Sequence, residues 1–158
     1  QLSWRSKIDA GSRFYGLKFL ITRGQVRVSP SADIFLMKQG PSSLDPIVSI
    51  GNNAYIGRNF HLVATAPIVF GENLLIANNV FISNCRHGVE LNNLPFIEQN
   101  LVSYGPIAIG SNVWLGEGSS IIGSLSIGDN VVVGNAERVT CDIPDNSIFK
   151  NGQIIKRK

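Results

Sequence analysis

With 158 residues, 44% of them hydrophobic and 16% charged, the chain is long enough to fold as one domain around a continuous core. Its formal net charge of +3 and its scattered Lys and Arg residues do not indicate a nucleic-acid partner. Neither a secretory signal nor the run of about 18 to 20 apolar residues that a membrane span requires is present.

We therefore expect a cytoplasmic protein without a membrane span, and contact with a membrane surface is left open. The 16 Gly and 7 Pro residues favour a β structure with many tight turns over a helical bundle. Two cysteines, Cys85 and Cys141, lie far apart in the chain, and we expect both to be reduced thiols.

The first part of the chain, residues ~8–47, keeps a regular apolar spacing only in places. Val28 and Ile34 keep the hexapeptide spacing, but residues 39–43, Gln-Gly-Pro-Ser-Ser, interrupt the pattern. We predict ragged early coils here, followed by regular coils over residues ~48–145.

A period of six dominates the central part of the chain. Short polar pairs such as Asn52-Asn53 and Asp129-Asn130 follow the apolar positions, and Asn, Asp and Gly accept the left-handed backbone of a sharp corner. The apolar positions are Ile50, Ile56, Leu62, Phe70, Ile76, Ile82, Ile109, Leu115, Ile121, Ile127, Val133 and Val139.

This period predicts an all-β fold, because it fits neither a helix nor a long alternating strand. It fits a short strand and a corner, repeated three times per coil to close a triangular prism, with successive coils about 4.8 Å apart. A β-sandwich, the alternative architecture, would not keep one phase through four coils. We therefore predict a parallel β-helix formed by one domain, residues 1–158.

The register breaks most strongly between Ile82 and Ile109, where the spacing of six is lost. A loop around residues 84–106 must leave the prism and return. This loop contains the segment Cys85-Arg86-His87-Gly88, and a long loop on a rigid scaffold is where function usually lies.

At the C-terminal end, residues ~146–158, we expect one last strand from Ile148 to Ile155. A frayed basic tail, Lys156-Arg157-Lys158, should follow this strand.

Three segments resemble the hexapeptide-repeat acyltransferases, whose fold is a left-handed parallel β-helix. More narrowly, they resemble the branch of maltose and galactoside acetyltransferases and bacterial polysaccharide O-acetyltransferases. The segments are residues 79–88, ending in His87-Gly88, residues 109–116, similar to the branch's IGxxVWIG, and residues 127–134 with the following 139–144. The chain departs from the family pattern at residues 134–137 and 150–154, two stretches that normally line the groove for coenzyme A.

The resemblance implies an acetyl-CoA-dependent O-acetyltransferase that acts on a sugar hydroxyl in surface polysaccharide biosynthesis. His87 matches the family's catalytic base, and the ordinary histidine pKa of about 6.5 suits a base at cytosolic pH. The resemblance also implies a homotrimer. For the acceptor sugar, we expect contacts from Asn59, His61 and Asn84.

For acetyl-CoA, Trp114 matches a family tryptophan near the acetyl end. Backbone N–H groups near Ser119 and over residues 134–136 are candidate donors to the pantetheine or the oxyanion. Lys150 and Lys156 are candidate partners of the phosphates. The predicted cofactor contacts are thus Trp114, Ser119, Gly134, Asn135, Ala136, Lys150 and Lys156.

Only two histidines and no CxxC motif are present, so no metal site is predicted. Two other functions stay open at this point. One is N-acetylation of an amino sugar linked to a nucleotide, and the other is a non-catalytic β-helix scaffold. An ordinary corner residue is the competing interpretation for Asn59, and packing on a prism face is the one for Trp114.

Overall fold

The six-residue spacing of apolar side chains produces a left-handed parallel β-helix, as predicted. The computed structural model describes residues 1–37, 47–91 and 94–157. The predicted interruption at residues 39–43 and the last tail residue, Lys158, lie outside the described residues.

The described residues form short strands and two 3₁₀ turns, Leu17–Phe19 and Phe96–Glu98. The strands are β1 (Lys7–Ile8), β2 (Arg13–Tyr15), β3 (Leu20–Thr22), β4 (Val26–Val28), β5 (Asp33–Leu36), β6 (Val48–Ile50), β7 (Ala54–Ile56), β8 (His61–Ala64), β9 (Ile68–Phe70), β10 (Leu74–Ile76), β11 (Phe81–Ser83), β12 (Cys85–His87), β13 (Leu101–Ser103), β14 (Ile107–Ile109), β15 (Trp114–Leu115), β16 (Ser120–Ile122), β17 (Leu125–Ile127), β18 (Val132–Val133), β19 (Arg138–Val139), β20 (Ser147–Lys150) and β21 (Gln153–Lys156).

Three sheets form the faces of the prism. Face A has eight strands in the order β1-β4-β7-β10-β15-β18-β20-β21, face B has six in the order β19-β16-β11-β8-β5-β2, and face C has five in the order β17-β14-β9-β6-β3. The chain runs from A to B to C in each coil, and pairing between coils is parallel up to β20. A separate ribbon pairs β12 with β13 in antiparallel orientation.

The core of the prism is the stack of repeat positions. All twelve predicted apolar positions are at most 3% exposed, because each strand turns alternate side chains inward. The corners also follow the prediction. Asn53, Asn73, Asn112 and Asn130, the second residues of the polar pairs, adopt left-handed backbone with φ between 54° and 58°.

The early coils are more regular than predicted. Arg13 pairs with Asp33 one coil later, at the same offset that separates Ala54 from Leu74. The apolar spacing of six is partly hidden here, because the first coil has an offset of 20 residues and the next one, from Val26 to Ala54, an offset of 28.

The C-terminal end also differs from the prediction of one strand. Residues 147–156 form an antiparallel hairpin, β20 and β21, with Asn151 and Gly152 at its turn. The tail is ordered through Arg157, whose backbone N–H donates to Asn146 O at 2.8 Å and whose Nη1 donates to Asn130 O at 3.3 Å. The glycine in the turn favours a reversal of the chain over a continued strand.

Candidate active site

The structure contains the predicted long loop, which leaves the prism at the corner between faces B and C. Its base is held by Asn84, which is fully buried. The Asn84 Oδ1 accepts from Thr65 N at 2.9 Å, its Nδ2 donates to Ala66 O at 2.9 Å, and its backbone O accepts from Tyr104 N at 2.8 Å. One residue thus joins both ends of the loop to the neighbouring coil.

His87 lies at the outer end of β12, opposite Leu101 of β13. Its side chain is exposed, and the imidazole has no hydrogen-bond partner among residues 1–37, 47–91 and 94–157. The strand pairing and the bond from Gly88 N to Asn100 O, at 2.9 Å, hold its backbone. His87 is therefore an exposed imidazole on a braced ribbon, without a hydrogen-bond partner in the described part of the chain.

Gln99 organises the part of the loop that follows His87, and sequence reasoning missed it. Its side chain is 7% exposed, and its Oε1 accepts from Glu90 N at 2.9 Å. Its Nε2 donates to Glu90 O at 3.1 Å and to Leu94 O at 3.0 Å. A buried amide that bonds three backbone groups stabilises a loop that has little regular structure of its own.

We expect Gln99→Leu to loosen this loop and to lower activity, because three hydrogen bonds are lost at about 1 kcal/mol of loop stability each. The prism should keep its thermal stability. Hydrogen exchange of the loop amides, compared with that of β7 and β8, measures the difference. Gln99→Glu keeps the acceptor but not the donor and should lie between wild type and Gln99→Leu; equal loop protection in all three proteins would contradict the assignment.

The predicted acceptor residues lie in different environments. Asn59 is an exposed corner residue with φ of 54°, and its Nδ2 donates to Asn79 Oδ1 at 3.0 Å. His61 is half-buried on the outer side of β8, between the rings of Phe35 and Phe81. Since both polar atoms of Asn84 bond the backbone, its side chain holds the loop and does not face a ligand.

The predicted backbone donors require a correction. Ser119 N donates to Gly116 O at 3.1 Å, Gly134 N to Phe149 O at 2.9 Å, and Ala136 N to Glu117 O at 2.8 Å. Carbonyl groups of the turns and of successive coils accept hydrogen bonds from these three N–H groups. The groups are therefore not available to a ligand. Among the predicted donors, Asn135 N is the one without an acceptor in the described part of the chain.

Trp114 lies on the outer side of face A, where its side chain is 46% exposed between Leu75 and Val132. Lys150 is exposed at the hairpin turn, beside the corner between faces A and B. Lys156 lies at the other end of the hairpin, and its Nζ donates to Asp145 O at 3.2 Å. The two lysines therefore do not form one phosphate site.

The two segments that depart from the family pattern, residues 134–137 and 150–154, contact each other. The Glu137 carboxylate accepts from Asn151 N at 2.5 Å and from Gly152 N at 3.1 Å, so it holds the turn of the C-terminal hairpin. A carboxylate that accepts two backbone N–H groups makes strong, charge-assisted hydrogen bonds.

We expect Glu137→Ala to fray the hairpin at a cost of about 1.5 to 3 kcal/mol, the range for hydrogen bonds to a charged group. Amide exchange at Phe149 and Ile154 should accelerate, while β7 and β8 keep their protection. Glu117→Ala is the matched control, since its carboxylate bonds only the side chains of Asn78 and Asn79. Unchanged exchange in the hairpin of Glu137→Ala would show that the Glu137 carboxylate is not needed to hold the turn.

His87 and the predicted cofactor residues lie on different sides of the prism. His87 is at the corner between faces B and C, whereas Asn135 and Lys150 are at the corner between A and B, and Trp114 is on face A. Face B therefore lies between the two corners.

Neither a metal site nor a membrane span is found in the part of the chain that the structure describes. No group of three or more His, Cys, Asp or Glu residues is arranged to hold a metal ion there. No helix within residues 1–37, 47–91 and 94–157 is long and apolar enough to cross a bilayer.

Comparison with known proteins identifies relatives of the repeat region. A family model described as the hexapeptide repeat of succinyl-transferase matches residues 47–84 and 106–136. The chain is 39% identical over 107 residues to the galactoside O-acetyltransferase of Escherichia coli (strain K12), an alignment that covers 63% of this chain and 51% of that protein. The chain thus spans about half the length of the curated relatives that it matches.

Solved structures extend the similarity to the whole fold. A galactoside acetyltransferase in complex with coenzyme A superposes with a TM-score of 0.67 at 31% identity, covering 85% of this chain and 64% of that one. A point mutant of AntD, an N-acyltransferase from Bacillus cereus, in complex with dTDP and coenzyme A superposes with a TM-score of 0.77 over 99% of this chain and 82% of that one. At 18% identity, the second similarity concerns the fold alone.

Proposed function

Because the chain belongs to the hexapeptide-repeat acyltransferase family, we propose that it transfers an acetyl group from acetyl-CoA to a sugar hydroxyl, with His87 as the general base. The free, exposed imidazole of His87 on a braced ribbon is the observation that carries this proposal. The coenzyme A bound by the related galactoside acetyltransferase supports the choice of donor.

In this mechanism, His87 accepts one proton from the acceptor hydroxyl and later donates it to the leaving sulfur. Acetyl-CoA supplies an activated thioester, so no covalent intermediate on the protein is required. The neutral imidazole takes the proton of the acceptor hydroxyl as the new C–O bond forms. The same proton then passes from the imidazolium to the leaving sulfur, and the C–S bond breaks. A base placed in this way contributes about 10² to 10⁴ in rate.

The acyl donor is proposed to lie against Trp114, Asn135 and Lys150. These three residues offer an exposed aromatic surface, a free N–H group and a cation along face A and its corner with face B. The N–H groups of Ser119, Gly134 and Ala136 take no part, since the prism uses them.

We propose that the active enzyme is a homotrimer. His87 lies at one edge of face B, whereas the donor residues of the same chain lie at its other edge and on face A, so we expect that one chain alone does not bring the thioester to the hydroxyl. A second copy that places its A–B corner beside the loop of the first would complete the site. Sedimentation velocity tests the assembly, and a monomer with full activity would contradict it.

We place the acceptor in surface polysaccharide biosynthesis in the cytoplasm, since residues 79–88 and 109–116 resemble that branch of the family. An amino sugar on a nucleotide, which would be N-acetylated, is the alternative acceptor. Transfer of labelled acetyl from acetyl-CoA to a panel of sugars and nucleotide-linked amino sugars separates the two. Transfer to hydroxyls alone supports the proposal, transfer to amines alone supports the alternative, and absence of acetyl-CoA binding leaves a non-catalytic scaffold.

A further inference from the structure

Face B carries a band of outward side chains that the mechanism does not use. The band crosses four neighbouring strands, β2, β5, β8 and β11, which are in register with one another. We call it the face-B strip, and its members are Arg13, Tyr15, Asp33, Phe35, His61 and Phe81. At about 4.8 Å per strand spacing, it is about 14 Å long.

The first component of the strip is a line of rings. The rings of Phe35 and His61 stack at 5.7 Å between centroids with 30° between their planes. His61 and Phe81 follow at 5.4 Å, and Tyr15, which is 64% exposed, pairs in register with Phe35. Each of the four strands therefore presents an aromatic surface to the outside, on which a flat, partly apolar molecule can pack.

The second component is an ion pair beside the rings. Arg13 Nε donates to Asp33 Oδ1 at 2.7 Å, and Arg13 Nη2 donates to Asp33 Oδ2 at 2.6 Å. The hydrogen bonds from Arg13, together with its charge and that of His61, lower the pKa of Asp33, so the carboxylate stays ionised at neutral pH. The Arg13 Nη1 group and the remaining lone pairs of Asp33 are left to bond a ligand.

Along the prism axis, the strip ends in the coil from which the loop that carries His87 leaves. Phe81 begins β11, and that strand leads through Asn84 directly into β12, where His87 lies. A molecule on the strip would therefore run from the level of the catalytic loop towards the first coil of the prism.

We propose that the face-B strip binds the sugar units next to the one that is acetylated, so that the acceptor is a neutral oligosaccharide or glycan chain. This inference rests on the proposed function. Aromatic rings match the C–H faces of pyranoses, and a charged bidentate pair matches their hydroxyls. The strip is also longer than one pyranose ring.

Two other occupants fit the strip less well. A nucleotide-linked sugar brings two phosphate groups, whereas the one arginine of the strip is already paired with a carboxylate. A second copy of the chain would have to cover Arg13, whose side chain is 76% exposed and already paired with Asp33, so the ion pair would lose water without gaining a new partner.

The experiment compares kcat/KM for a mono-, a di- and a trisaccharide of the sugar that accepts acetyl best. We expect the trisaccharide to be preferred by ten-fold or more, mainly through a lower KM. Tyr15→Ala and Asp33→Asn should each raise KM for the trisaccharide about five-fold, with kcat and the monosaccharide reaction unchanged. Trp4→Ala, which removes an aromatic side chain that is 87% exposed outside the strip, should leave all three acceptors unaffected.

Each of the other outcomes contradicts either the role of the strip or the proposed function. Equal kcat/KM for all three lengths, or variants that do not change the length dependence, would reject the strip and leave the O-acetyltransferase proposal intact. A change of sedimentation coefficient in Tyr15→Ala without a change of KM would identify the strip as a subunit contact. If no sugar of any length accepts acetyl at a hydroxyl, the proposed function fails, and the strip's role fails with it.

Discussion

Replacing His87 with alanine is expected to lower kcat by about 10² to 10⁴-fold, the usual worth of a general base. The structure supports a large effect, because none of the ion pairs among the described residues includes His87 and the second histidine lies on face B. His61 lies in β8 on face B, stacked between Phe35 and Phe81, and is not part of the loop. Acetyl transfer to the best sugar acceptor, measured under saturating acetyl-CoA, gives the change in kcat.

The variant must remain folded and must still bind its donor. The side chain of His87 is exposed and unpaired among the described residues, so we expect the midpoint of thermal unfolding to stay unchanged. Acetyl-CoA at 100 times its dissociation constant should stabilise wild type and variant alike by about 2.7 kcal/mol. His87→Asn provides a second test with a polar side chain. A His87→Ala protein that keeps more than half of its kcat would remove His87 from the mechanism.

Replacing Gly51 with alanine is expected to destabilise the protein by more than about 4 kcal/mol. A methyl group at this position would overlap the backbone carbonyl of Gly71 in the next coil. Backbone hydrogen bonds fix the spacing between coils, for example from Gly51 N to Phe70 O at 3.1 Å, so neither coil can move away cheaply. Chemical denaturation measures the change in the free energy of unfolding.

Gly134→Ala is the matched comparison, because Gly134 occupies a similar position in a later coil. Its added methyl group would lie 3.3 Å from Glu137 Cγ and from Phe149 O, a tight contact that small shifts relieve. We expect about 1 kcal/mol of destabilisation, at the low end for overpacking. Equal losses in the two variants would mean that coil spacing does not determine the cost.

Sequence alone predicted the prism because its physical causes are local and repeated. Each inward position, such as Ile56 or Leu115, needs only its own strand to turn it towards the core. Each corner, such as Asn53 or Asn112, needs only a residue that accepts left-handed backbone. The long loop followed from the same rule, since the segment between Ile82 and Ile109 is too long to fit one prism side.

The parts that were missed depend on contacts between distant residues. Three predicted N–H donors, including Gly134 and Ala136, are occupied because the folded chain supplies carbonyl groups that no local pattern reveals. Gln99 has no motif, and only the folded loop shows what its amide bonds. Arg13 and Asp33 carry opposite charges and are separated by one coil. Their pairing can be recognised in the sequence only when the length of that coil is known.

The C-terminal hairpin shows how two unusual segments require each other. Residues 134–137 and 150–154 each looked like an isolated departure from the family pattern. In the structure, Glu137 of the first holds the turn at Asn151 and Gly152 of the second. A substitution in one segment therefore changes the conditions under which the other folds.

The reversed direction of β21 has a consequence for how copies of the protein meet in solution. A stack of parallel coils has no natural length, since its last coil presents the same open hydrogen-bonding edge that the next coil would occupy. On face A that edge belongs to an antiparallel strand, held by its pairing with β20. A strand of another copy that ran in the direction of the other coils would meet β21 in antiparallel orientation, so the parallel pairing of the prism would not continue across this edge. On face A, the hairpin thus replaces the parallel edge on which a further coil would pair.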